Sequence, residues 1–169
     1  MLRIEKFWSE ALKKRWSKNF PILNKRVLFT KKRLPLLDFV SLCNCVDVLL
    51  DPLHFGGGNS FLESMMVGTP TITMPGTHLK TNITAAAYKQ MQILNPPIVQ
   101  SSKEYIDLAV RLAQDKKKNN LLREESKIAA KKYLYRNLNA LKEFEKFLEE
   151  AHRTSQMGNK LKNGYVFKN

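Results

Sequence analysis

The chain has 169 residues, 43% hydrophobic and 9% aromatic, a composition that suits one folded domain with a buried core and excludes a disordered polymer. No apolar run reaches the roughly 20 residues of a membrane span. The charged start "MLRIEKFWSEALKKRW" also lacks a signal peptide's apolar core, so a cytoplasmic protein without a membrane partner is expected. The net charge of +14 is concentrated at Lys13, Lys14 and Arg15, at Lys116, Lys117 and Lys118, and at Lys160, Lys162 and Lys168. Aromatics are not interleaved with these clusters, which favours solvated faces over a nucleic-acid platform.

In chain order, Ile4, Phe7, Trp8, Ala11, Leu12 and Trp16 recur at helical spacing, which predicts a helix over 3–18. "RVLF" (26–29) reads as a short strand. "LLDFVSLCNC" reads as a short helix and "VDVLLD" (46–51) as a buried strand closed by Asp51. Cys43 and Cys45 lie too close in sequence for an unstrained disulfide, and no second pair completes a zinc site, so buried free thiols are expected. A helix from Asn59 to Val67 follows, with Asn59 or Ser60 available as cap and Gly68 at its end. Then come a strand at "PTITM" (70–74), a helix over 81–92 and an extended "NPPIV". A further helix starts near Ser102, with Tyr105, Leu108, Ala109 and Leu112 on one face, and two more cover about 118–134 and 138–153. Residues 1–153 are expected to form a single domain and 154–169 a loose basic tail. Strand–helix alternation through residue 93 predicts an α/β fold with a parallel sheet, followed by a mostly helical part.

Ligands of such sheets sit beyond the carboxyl ends of the strands, where "DPLHFGGGNS" (51–60) falls. Gly56, Gly57 and Gly58 have no Cβ to fend off a phosphate, and N–H groups near Asn59, Ser60 and Phe61 could donate to it. The triplet alone serves a tight loop equally well. Glu63, one turn into the helix, is placed to accept from two ribose hydroxyls. His54 and His78 flank the stretch; each reads either as a loop-shaping residue, which is favoured, or as a phosphate or sugar contact. No Ser/His/Asp arrangement is arguable, and no catalytic residue is assigned.

"VDVLLDPLHFGGGNSFLESMMVGTPTITMPG" followed by "LKTNITAAAYKQM" resembles the C-terminal catalytic half of the O-linked N-acetylglucosamine transferase and SPINDLY group, inverting glycosyltransferases of the GT-B fold. The similarity runs over roughly residues 20–150. It implies that the sheet is the Rossmann-like, helix-flanked sheet of a GT-B C-terminal lobe. It also implies that Gly58, Asn59 and Ser60 bind the donor diphosphate and that Glu63 holds the ribose. Asp51, His54, Gly56 and Gly57 complete the implied donor-binding set. "LPLLDF" matches the strip near base and ribose, but where the family places a basic residue after the proline this chain has Leu36. Arg33 or Lys32 would substitute from a shifted loop.

The resemblance further implies transfer of N-acetylglucosamine from UDP-N-acetylglucosamine to Ser or Thr of an acceptor protein, with no metal and no separate cofactor. UDP-glucose and GDP-fucose stay open as donors. The family's N-terminal lobe with its histidine, and the Gln-x-x-x-Lys segment whose lysine meets the leaving diphosphate, find no counterpart in these residues. A lone chain is therefore expected to be incomplete as a catalyst. It would need a separately encoded N-terminal lobe or a tetratricopeptide-repeat partner. The alternatives are a truncated nucleotide-sugar binder without turnover and, less favoured, a basic nucleic-acid-binding protein.

Overall fold

Apolar residues at helical spacing in a lysine-rich background build α1 (Leu2–Asn19), which is followed by a single turn of helix, α2 (Pro21–Asn24), with proline at its first position. The computed structural model describes residues 2–30 and 33–166. Lys32, one of the two candidate substitutes near the base, lies outside the described residues. The chain forms two units, Met1–Phe39 and Val40–Asn169.

In the first unit, the expected strand at 26–29 does not form. Leu28 is 94% exposed, and Phe29 instead packs its ring 5.9 Å from that of Trp16, with the Lys13 ammonium 5.0 Å from its centroid. A strand needs a ladder partner for its N–H and C=O groups, and among the described residues 26–29 have none. α3 (Leu36–Cys45) begins in this unit and ends in the second, where its Cys43 is buried and Cys45 exposed. Both thiols are free, as expected, but only one is buried.

The second unit is organised on a small parallel sheet. β1 (Leu49–Leu50) pairs with β2 (Thr71–Ile72) in the register Leu49–Thr71 and Leu50–Ile72. A parallel bridge between Thr73 and Ile98 adds a third segment. Two strands and a bridge are less sheet than the sequence suggests. Part of the reason is local: the Val46 carbonyl accepts from Arg123 at 2.7 Å and the Asp47 carbonyl from Asn119 at 2.8 Å. Side chains thus take backbone groups that a longer β1 would use in its ladder. Leu50 is also 57% exposed rather than buried.

Helices make up most of the rest. α4 (Asn59–Ser64) is shorter than expected, and α5 (Leu79–Gln90) starts two residues early. α6 (Ser102–Gln114) is capped by Ser101, whose hydroxyl accepts from the Glu104 N–H, while the Glu104 carboxylate accepts from the Gln100 N–H at 2.8 Å. α7 (Lys116–Ala129) runs into a π-helical turn, Ala130–Leu134, and α8 (Leu138–Gln156) is amphipathic with no buried residue. The core gathers Phe61 from α4 and Met65 just past its end, Ile72 from β2, Tyr88 from α5 and Met91 just past its end, and Leu112 and Leu122 from α6 and α7. Phe61 meets Tyr88 edge to face at 5.1 Å, and the Tyr88 hydroxyl accepts from the Thr71 N–H at 2.9 Å. Among the described residues no helix is long and apolar enough to cross a membrane.

Candidate functional site

The site begins where β1 ends. Asp51 is 5% exposed, and its carboxylate turns inward rather than toward solvent. Oδ1 accepts from the Gly57 N–H at 2.6 Å, and Oδ2 accepts from the Thr73 hydroxyl at 2.7 Å. Its backbone is fixed as well: the N–H donates to the Ile72 carbonyl at 2.9 Å, and the carbonyl accepts from the Tyr105 hydroxyl at 2.8 Å. Burial, assisted by the Asp51 charge, pushes the Tyr105 hydroxyl up to about 12, so this donor stays protonated at neutral pH.

The chain then turns through 53–55, leaving His54 and Phe55 exposed, and comes back at the glycines. The Gly56 N–H donates to the Lys80 carbonyl at 2.8 Å, in the first turn of α5. A Cβ at Gly56 would stand 3.2 Å from Asp51 Oδ2 and 3.3 Å from that carbonyl, so the close approach of two chain segments selects glycine here. Gly58 differs: a Cβ there would meet nothing within 4 Å. It is the N-cap of α4 and makes no side-chain cap bond; its carbonyl accepts from the N–H groups of Phe61 and Leu62 at 3.1 and 3.3 Å. Neither Asn59 nor Ser60 is the cap. Both lie inside the helix, in its first turn, with exposed side chains, and are free of the role the sequence suggested for them.

Glu63 is half-buried on α4. Burial pushes the Cys43 thiol up, the Glu63 charge adds to this, and Arg123 opposes it, which sets the Glu63 carboxylate within electrostatic reach of α3. Arg123 itself is bound into the framework, donating to the Val46 carbonyl and, at 2.9 Å, to the Thr69 hydroxyl.

A second loop, 74–78, leads into α5. The Asn82 amide reaches back to the carbonyls of Gly76 and His78, at 2.7 Å each, and the Thr81 hydroxyl donates to the His78 carbonyl at 2.8 Å. His78 is the exposed N-cap of α5 and shapes this loop through its backbone. A depression of about 490 Å³ between α5 and residues 93–98 is lined by Pro75, Asn82, Lys89 and Ile98, not by the glycines.

The structure therefore brings Asp51, Gly56, Gly57, Gly58, Asn59, Ser60 and Glu63 onto one strand–loop–helix junction, with His54 on its exposed turn. Arg33 is exposed and belongs to the first unit. Among the described residues no group of three or more His, Cys, Asp or Glu side chains is arranged to hold a metal ion. Thr73, Tyr105 and the Lys80 carbonyl brace the loop but cannot be singled out from the sequence. A threonine in "TITM" reads as an ordinary β-former, and the one available signal is a polar residue repeated at 71 and 73 on an otherwise apolar strand.

The family model for glycosyl transferase family 41 matches residues 1–150. The solved structure of an O-GlcNAc transferase from Thermobaculum terrenum, a lysine-to-methionine variant, is 25% identical over 86% of this chain, with a TM-score of 0.70. The chain spans 27% of the length of that protein.

Proposed function

The chain belongs to glycosyl transferase family 41, and from that premise we propose that it is the donor-binding part of an inverting protein O-N-acetylglucosaminyltransferase. In this reading the two-stranded sheet is the centre of a Rossmann-like GT-B lobe, working in the cytoplasm. The diphosphate of UDP-N-acetylglucosamine rests against Gly58, Asn59 and Ser60, on the open side of the loop that Gly56 and Gly57 tie down. Glu63 accepts from the ribose hydroxyls. His54 borders the diphosphate. The charge is met by backbone N–H groups and polar side chains rather than by a metal.

The reaction is attack by a Ser or Thr hydroxyl on the anomeric carbon from the face opposite the diphosphate. The new C–O bond forms as the bond to the diphosphate oxygen breaks, configuration inverts, and UDP leaves. The base that takes the hydroxyl proton and the cation that meets the departing diphosphate belong to a complementary lobe. Since the chain spans 27% of the solved O-GlcNAc transferase, turnover is expected only with that lobe supplied, and binding without turnover is the second reading.

The observation that carries the proposal is the loop itself: it is pinned at Gly57 by a buried carboxylate and open at Gly58, in a chain of this family. UDP should raise the thermal midpoint, and Glu63→Ala should abolish that rise. UDP-N-acetylglucosamine, UDP-glucose and GDP-fucose, compared in the same assay, rank the donors. No response to UDP together with RNA binding that falls steeply with salt would replace this reading by a nucleic-acid one.

A further inference from the structure

We infer that Thr73 is a positioning residue of the donor loop, acting through Asp51; the inference rests on the donor reading above. Thr73 is 1% exposed and is held by two backbone bonds, its N–H to the Pro97 carbonyl and its carbonyl from the Val99 N–H, each at 3.0 Å. Its branched side chain has little rotational freedom, so the hydroxyl is a fixed donor. That donor meets one oxygen of the Asp51 carboxylate at 2.7 Å, and the plane so fixed presents the other oxygen to the Gly57 N–H at 2.6 Å. Both bonds involve an ionised acceptor and are stronger than neutral ones.

The consequence for the ligand is specific. The Gly57 N–H points back at Asp51 and is withheld from a phosphate, so the donors offered to a nucleoside diphosphate begin at Gly58. Without the Thr73 hydroxyl the carboxylate is free to rotate, the Gly57 N–H is released, and the position of Gly58 relative to α4 is no longer set. Tyr105 anchors only the Asp51 carbonyl and cannot replace this control of the side chain.

Thr73→Val keeps the shape and removes the hydroxyl; Thr73→Ser keeps the hydroxyl. Two quantities are read on the full chain: amide hydrogen exchange at Gly57 without nucleotide, and UDP affinity by calorimetry. Thr73→Val should speed Gly57 exchange about tenfold relative to the Asp51 amide and weaken UDP by about tenfold or more. Thr73→Ser should return both to within about twofold of wild type, a rescue that loss of packing would not give. Unchanged exchange and affinity in Thr73→Val, or no rescue by a folded Thr73→Ser, overturns the inference. If Thr73→Val does not fold, Asp51→Ala removes the shared acceptor, and wild-type Gly57 protection in a folded Asp51→Ala chain overturns it. A wild-type chain that ignores UDP overturns the donor reading alone, and the exchange at Gly57 then still decides whether Thr73 sets the loop.

Discussion

Gly58 and Gly68 bracket the same short helix, α4, in opposite surroundings. A Cβ at Gly58 would meet nothing within 4 Å, whereas one at Gly68 would fall 2.0 Å from the Arg123 carbonyl oxygen and 2.8 Å from Lys127 Cγ. Gly68 also has φ +68, a left-handed conformation that lets the chain leave α4 and drop back toward β2. One end of the helix is sealed against α7. The other has open space where a Gly58 Cβ would stand, with Asn59 and Ser60 exposed beside it. Glycine thus does two jobs in one stretch: at 68 it lets two parts of the fold touch, and at 58 it leaves room for something else to touch the fold.

Four measurements test this contrast. The largest effect is expected from Gly68→Ala, which meets both a steric clash and an unfavourable φ; it should lose about 3 kcal/mol of stability or more in chemical denaturation. A small loss there would remove the distinction between the two ends. Asp51→Ala comes next. It strands the Thr73 hydroxyl and the Gly57 N–H in the interior and should cost about 2 kcal/mol by the same measurement.

The Tyr105 brace should show in the alkaline limb. Its hydroxyl ionises near 10.0 in the unfolded chain and is pushed up to about 12 when folded. Its contribution is complete below pH 10 and is lost as the pH rises toward 12, because the unfolded chain releases that proton first. Tyr105→Phe should flatten the fall in stability across that window, and an unchanged slope would argue against the contact. The smallest stability effect belongs to Gly58→Ala, within about 0.5 kcal/mol of wild type. The same variant should nonetheless lose thermal protection by UDP. If it is instead as destabilised as Gly68→Ala, the open end of α4 is a packing position and not a binding one.

Helices were the readable part of the fold. α1 and α5 to α8 declare themselves through apolar spacing, and their ends move by only a few residues from the expected ones. α6 starts at Ser102, as expected, and its cap is Ser101, whose hydroxyl accepts from the Glu104 N–H. Strands were less readable, since a strand exists only when a partner occupies its ladder. "RVLF" has strand composition, yet Phe29 settles on Trp16. "VDVLLD" shortens to two residues because Arg123 and Asn119, more than seventy positions away, bond the carbonyls of its first half.

The candidate site divides in the same way. "DPLHFGGGNSFLE" by itself determined that a strand ends, a glycine loop follows and a helix carries Glu63, because turn chemistry and helical spacing are local properties of the chain. What each residue does there depends on contacts made across the fold. Asp51 turns inward because Thr73 and Gly57 wait for it across the sheet. Gly56 is glycine because Lys80 comes close, and Gly58 alone of the three stands clear. Those assignments depend on segments up to 24 residues apart, Gly56 and Lys80, meeting within 3.5 Å, and no local pattern encodes such a meeting.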